Sequence, residues 1–464
     1  MKPEKLEEAL NQISDKHIQE AVTQKKRHTI PWVGAIAAIL ALVLCLKFIE
    51  IPMAVSAEAV SLPKNRVTDR PDYDDPRLDI WLAERDQRAT TATQALTSMK
   101  NFIGSSCKTF LAGEGNQLYS PINAYMGLAM VAELTAGSTR QQLLDALGAA
   151  DTETLQQFTS ALWESAYFDD EHNKRSLASS LWLDEGIPFT QSVMDTLAYD
   201  YYASVYRQDL QSKQVLKDIQ AWLNNNTGGF LKDAVDTVSL PEETLLVIYS
   251  TVYFQAKWSE EFNASQNTDG LFHSPDGDTT VTFMNKKLTQ RNYYWGDSFG
   301  AINLGLKNNS QMWFILPDQD KTIQDVLEEG QYLELILSNY AARSDYENQK
   351  YMKVNLSIPK FDVQAKKDLR QGFEKMGITE LWNDGRADFS TSLEEPAHIT
   401  SANQAVRVQI DETGVTAAAY IELPVAGDPP PPEEIIDFVV DRPFLFIITT
   451  NSGIPLFAGT VTNP

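Results

Sequence analysis

A chain of 464 residues, 43% hydrophobic and 22% charged, has a globular composition with enough apolar material for a large core. Its formal net charge of -24 disfavours a nucleic-acid or polyanion partner, because such partners need clustered Lys and Arg. Two cysteines, Cys45 and Cys107, make neither a disulfide framework nor a zinc pattern.

The N-terminal residues read as separate from the folded body. Leu6, Leu10, Ile13, Ile18 and Val22 recur at helical spacing among mixed charges, within a short cytoplasmic segment over residues 1–29. Lys25-Lys-Arg-His28 then precedes an uncharged run from Ile30 to Leu46. With Lys47 snorkelling and Phe48 and Ile49 added, residues 30–49 suffice for a membrane span. Basic residues before the run and Glu50 and Glu58 after it put the N-terminus in the cytoplasm. The competing reading is a secretory signal cleaved after Ala57. The long segment before the run, the length of the run, and Lys47 and Glu50 favour the anchor. Either way, the expected place is the cell surface or, if cleaved, the outside medium. Residues 50–92 carry Pro52, Pro63, Pro71, Pro76 and the acidic Asp72, Asp74 and Asp75, and read as a polar stalk.

From residue 93 to the end, helix and strand patterns interleave without a second linker, so one large α+β domain is expected. Helices are expected over 95–110, 123–133, 138–147, 151–165, 188–202, 212–224 and 367–376. The helix from Asn123 is apolar nearly all round, as a buried one would be. Strands are expected over 176–183, 245–254, 279–284, 311–316, 352–358, 407–410, 438–440, 445–449 and 456–461. The continuous apolar run 245–254 fits a strand covered on both faces.

No catalytic constellation emerges. The five histidines are scattered, no pair has metal-ligand spacing, and no nucleophile elbow, Walker loop or dinucleotide motif occurs. No cofactor or metal is expected. One stretch near the C-terminus stands out instead. From Val415, alternate residues Val415, Ala417, Ala419, Ile421, Leu423 and Val425 are all apolar, while Gly414, Thr416, Ala418, Tyr420, Glu422 and Pro424 alternate with them. That is the pattern of a strand with one buried face, some 35 Å long at about 3.3 Å per residue. Yet Ala426-Gly-Asp-Pro-Pro-Pro-Pro-Glu-Glu434 follows directly and cannot pair as a central strand. Pattern alone favours an ordinary strand and a surface loop.

The order of motifs around it resembles the serpin family. Ser120-Pro-Ile-Asn-Ala-Tyr-Met-Gly-Leu looks like the opening of the family's shutter helix, followed by Gly137-Ser-Thr-Arg-Gln141. Trp222-Leu-Asn-Asn-Asn-Thr-Gly228, Tyr249–Trp258, Ile358-Pro-Lys-Phe-Asp362, Ala387-Asp-Phe-Ser390, Pro443-Phe-Leu-Phe446 and Leu456-Phe-Ala-Gly459 continue it collinearly over residues 95–464. The resemblance implies a serpin fold, and makes Glu412, Thr413, Gly414, Val415, Thr416, Ala417, Ala418 and Ala419 the hinge of a reactive-centre loop. It places Ser120, Asn123, Ser250, Trp258 and Gln404 at the shutter and breach. Ser250, Gln404 and Asn123 depart from the residues many members carry there.

Hinge spacing puts the scissile bond near Asp428–Pro429, a poor bond because proline follows. Val425–Ala426 and Ala426–Gly427 are chemically better, and their small side chains suit an elastase-like or subtilisin-like target. The function implied is a monomeric, bacterial-type, membrane-anchored inhibitor and not an enzyme. It traps a serine protease, or a cysteine protease, as a suicide substrate. A non-inhibitory member serving as a surface binding module or decoy substrate is the alternative, motivated by the proline cluster.

Overall fold

The structure, a computed structural model, describes residues 55–63, 71–169, 173–340, 343–415 and 433–464. All lie in Met53–Pro464, the second of two compact units; the expected span over 30–49 lies outside the described residues. Among the described residues no helix is long and apolar enough to cross a membrane.

Strand β1 (Glu58–Ser61) comes first, followed by α1 (Leu78–Ser98), α2 (Lys100–Phe110), β2 (Gln117–Tyr119), α3 (Pro121–Leu134), α4 (Gly137–Leu147) and α5 (Thr152–Ala166). Then come β3 (Phe168–Asp169), β4 (Lys174–Asp184), α6 (Gln191–Asp200), β5 (Ala203–Gln208), α7 (Lys213–Thr227) and α8 (Lys232–Val235). The strand-rich half holds β6 (Leu246–Lys257), β7 (Thr268–Ser274), β8 (Gly277–Trp295), β9 (Phe299–Gly305) and β10 (Gln311–Pro317). Helices α9 (Ile323–Glu329) and α10 (Gln331–Leu337) lead to β11 (Asn339–Tyr340), β12 (Arg343–Ser344), β13 (Gln349–Pro359), β14 (Phe361–Asp368) and α11 (Arg370–Lys375). The chain closes through β15 (Asn403–Ile410), β16 (Gly414–Val415), β17 (Ile435–Val439), β18 (Phe444–Thr449) and β19 (Pro455–Val461).

The main sheet runs β1-β5-β4-β6-β16, and a nine-stranded sheet runs β17-β13-β8-β9-β10-β18-β19-β2 with β7 beside β8. Strands β14 and β15 form a separate pair. Helix α3 fills the space between the sheets. Pro121 sits at its first turn, where no N–H is missed, and the Ser120 hydroxyl caps it by accepting from Asn123 N–H. Nearly every α3 side chain is buried, as its all-round apolar sequence requires.

Two expectations need correction, and a third is met with one difference. Residues 50–92 are not an unstructured stalk throughout: Glu58–Ser61 joins the main sheet and α1 begins at Leu78, well before residue 93. Neither carries a strong apolar signal of its own. The strand borrows its ladder from β5, and α1 lies along α5, with Arg88 Nε 2.9 Å from Glu164 Oε2. Second, Lys367 and Asp368 end strand β14, leaving only Arg370–Lys375 helical. Third, the run from Leu246 packs alternately on two clusters, Leu246 and Ile248 on one and Val247 and Tyr249 on the other. Both faces are covered as expected, and these residues are half-buried.

The smaller of the two clusters joins β4 to α7 through Trp182, Leu210, Val215, Ile219 and Trp222. Trp182 is fully buried, stacks on Tyr206 at 4.6 Å and donates from Nε1 to Ser180 Oγ at 2.9 Å. Trp182→Ala is expected to cost about 3–5 kcal/mol, read as a shift of the urea-unfolding midpoint.

Candidate functional site

Among the described residues, the main sheet has a gap. Strand β6 pairs with β4 from Leu183↔Leu246 to Lys174↔Gln255. On its other edge, among the described residues, it pairs only at its end, Lys257↔Gly414 and Ala256↔Val415. Strand β15 is laddered to β14 over its whole length, Asp368↔Asn403 to Phe361↔Ile410, and has no ladder on its opposite edge among the described residues. Between the two open edges lies a cleft lined by residues 252–254 of β6 and 405–409 of β15. Ser120 and Asn123, at the start of α3, close it on one face; Thr227, Phe230 and Leu231, at and beyond the end of α7, lie on the other.

A polar network holds the lower end. Gln404, 5% exposed, accepts from Ser120 N–H at 2.9 Å through Oε1. Its Nε2 donates to Ser120 O at 3.1 Å and to Asn123 Oδ1 at 3.0 Å. The Ser120 hydroxyl donates to Leu456 O at 2.6 Å. One glutamine side chain therefore ties β15 to the buried helix, and the Ser120 hydroxyl ties that helix to β19. Ser250 is not part of this network: it lies across the cleft on β6 and accepts from the Ser179 hydroxyl at 3.3 Å.

The upper end is a tight turn. Asp411 Oδ1 accepts from Thr413 N–H at 2.8 Å, Thr413 Oγ1 at 2.7 Å and Gly414 N–H at 3.1 Å, so one carboxylate reverses the chain. Trp258 docks against it, donating from Nε1 to Asp411 O at 2.8 Å and from its N–H to Thr413 O at 3.1 Å. Gly414 is required by space, since a Cβ there would sit 2.4 Å from Ala256 O. Glu412 is held by the Lys360 ammonium and accepts from Asn267 Nδ2, while its carbonyl accepts from Phe262 N–H at 2.9 Å.

The structure thus brings Ser120, Asn123 and Gln404 together at one end and Glu412, Thr413, Gly414 and Trp258 at the other, with the Val415 backbone on β6. Thr416, Ala417, Ala418, Ala419, Val425, Ala426, Gly427, Asp428 and Pro429 lie outside the described residues. Asp411, Asn267 and Phe262 went unremarked in the sequence, and Lys360 stood out only as part of the 358–362 motif. Only Asp411, two residues before Thr413-Gly414, carried a readable turn signal.

Burial works to raise the Glu412 carboxyl, but the Lys360 ammonium and the N–H donors around it outweigh burial and hold its pKa below the ordinary 4.5. A depressed carboxyl contributes its full stabilisation above its unfolded value and loses it as pH falls through the folded one. Hydrogen exchange at the Trp258 and Phe262 amides, corrected for intrinsic rate, is therefore expected to quicken as pH drops below 4.5. In Glu412→Gln the protection should no longer vary with pH in that window.

Comparison with known proteins agrees with this geometry. The family model described as Serpin (serine protease inhibitor) matches residues 98–464. The chain is 27% identical over 397 residues to Serpin-ZX of Arabidopsis thaliana, covering 82% of this chain and 99% of that protein. It is 26% identical over 358 residues to plasminogen activator inhibitor 1 of Sus scrofa, covering 75% and 87%. The crystal structure of the thermophilic serpin tengpin in its native state superposes with TM-score 0.69 at 23% identity, covering 80% of this chain and 94% of tengpin. Serpin48 of the insect Tenebrio molitor gives TM-score 0.68 at 23% identity, covering 80% and 98%, a likeness of fold. The family model matches the chain from residue 98 to its last residue, and this protein is therefore a member of the serpin family.

Proposed function

We propose that this serpin inhibits serine proteases as a monomeric suicide substrate, with residues 416–432 as bait. The observation that carries the reading is the cleft between β6 and β15, with Gly414 and Val415 paired at its head. Strand β15 rises to Asp411, the turn reverses the chain, and β16 sets off antiparallel to β6. A chain continuing in that direction would lie between the two open edges.

In the first step the protease's serine Oγ attacks the scissile carbonyl. The peptide C–N bond breaks, the amine leaves protonated, and an ester joins the enzyme to the N-terminal part of the loop. The cut frees that part from β17, and it can enter the cleft as a central strand. Each ladder bond gained contributes about 1 kcal/mol. The apolar face of Val415, Ala417, Ala419, Ile421, Leu423 and Val425 adds about 25 cal/mol per Å² buried. Entry drags the ester-linked enzyme along the sheet before water completes hydrolysis. A cysteine protease would follow the same course through a thioester. The small residues from Val425 to Gly427 favour elastase-like or subtilisin-like targets.

Incubation with such a protease is expected to give an SDS-stable complex, and the cut protein should melt at a markedly higher temperature. Ala417→Asp should be cut at the same bond yet yield free protease and no rise in melting temperature, because a carboxylate would face the sheet interior. A wild-type chain that is cut, releases active enzyme and gains no stability would instead be a decoy substrate or binding module.

The same reading puts the inhibitor domain outside the cytoplasm, held by residues 30–49; the bacterial type rests on this N-terminal pattern alone. The full chain is expected to stay with membranes through alkaline carbonate washing while its loop remains open to added protease. Recovery in the wash, or in the medium with a new N-terminus after Ala57, would favour a cleaved signal.

A further inference from the structure

The stalk expected over residues 50–92 shrinks to a short leash. The run read as the membrane span ends at Ile49, and Val55 is already packed on the Trp182 cluster. Ser56 then gives its N–H to Asp218 Oδ1 at 3.2 Å and its hydroxyl to Asp218 Oδ2 at 2.7 Å. Asp218 belongs to α7 and is 1% exposed; Gln208 and Gln214 donate to the same carboxylate. Strand β1 follows at once, with Glu58↔Arg207 and Ala59↔Tyr206 on the outer edge of the main sheet. From residue 55 on, the chain is therefore fastened to the first two turns of α7 and to β5. Only residues 50–54 are left to pay out, and the step from 49 to 55 reaches about 20 Å at full stretch.

The same turns of α7 carry a charge opposite to that of the whole chain. Lys213 and Lys217 are exposed, one turn apart, and make no ion pair among the described residues. Asp218 is the only carboxylate of this helix and lies buried behind Ser56. The outward side of α7 is thus positive on a chain of net charge -24. Lysines so placed are drawn to lipid phosphates, and a short leash holds them near that surface at a high local concentration.

We propose that the outward side of α7 rests on an anionic bilayer, with Lys213 and Lys217 against the lipid phosphates. The proposal rests on the reading that residues 30–49 are held in a membrane, and adds which face of the inhibitor meets it. Along β1-β5-β4-β6-β16, the hinge at Gly414 lies four strands from the leashed edge, about 19 Å. The bait is carried close above the lipid, so the proteases it meets are those working at a membrane surface.

The full chain is placed in vesicles of phosphatidylcholine mixed with phosphatidylglycerol, and in vesicles of phosphatidylcholine alone. Both are treated with a membrane-impermeant acetylating reagent, and the modified lysines are read by mass spectrometry. Lys213 and Lys217 should react at least about fivefold more slowly on the anionic vesicles, the factor that one lysine's attraction to such a surface implies. Lys375, exposed on α11, is the control and should react alike on both. Molar salt should remove the protection, because the Debye length falls to about 3 Å. A long Gly-Ser spacer between Pro52 and Met53 should weaken it by loosening the leash.

Rates at Lys213 and Lys217 that match Lys375 on both vesicles would overturn the proposal. So would protection indifferent to lipid charge, or undiminished by the spacer. Those failures leave the anchor itself intact. A chain that leaves the vesicles in alkaline carbonate would instead remove the anchored reading, and the seat on lipid with it.

Discussion

Two strand edges face each other across a gap in the main sheet, and the rest of the molecule is arranged to keep them apart. An open edge normally invites mispairing, because its N–H and C=O groups seek partners. Here β6 and β15 each present one inside the body of the protein. Each is laddered firmly on its other side, so neither can close the gap alone without moving its whole half of the sheet. On the inhibitor reading, the unmade bonds are a reserve of stability that an added strand would release.

The reserve is bounded at both ends by polar contacts. Gln404 ties β15 to Ser120 and Asn123 at one end, and the Asp411 turn with Trp258 and Glu412 closes the other. Between them the cleft walls are largely apolar. Hydrogen bonds are directional and lose strength steeply when bent, so they suit the ends, where position matters. Apolar contact tolerates sliding and suits the middle, where a strand would have to pass. The end of helix α7 and the residues after it line this middle.

Much of this was legible in advance where local chemistry is strong. The Ser120-Pro121 cap, the apolar α3 and the strand from Leu246 follow from residue type and period. Strands β5 and β9 and helices α9 and α10 did not announce themselves, being only six or seven residues long, although the Thr322–Asp325 capping box was there to be read. Residues 50–92 misled because a segment poor in apolar residues looks unable to order itself. Glu58–Ser61 takes its order from the edge of β5, a partner about 145 residues further along the chain.

The distribution of roles between residues shows the same division. Ser120, Asn123 and Gln404 could each be suspected of polar work, but only the fold decides that Gln404 bridges the other two while Ser250 turns to Ser179. Likewise Glu412 stands beside a readable Thr413-Gly414 turn, whereas its partner Lys360 comes from the junction of β13 and β14. By itself the sequence determined the elements whose signals are local, the alternation from Val415 to Val425 and the family to which they belong. Tertiary structure alone decided that, among the described residues, β6 and β15 face a gap, which side chains hold its ends and that Glu58–Ser61 joins the sheet's outer edge. Those are matters of long-range pairing, and the pattern along a strand states which face is buried but never which strand will lie beside it.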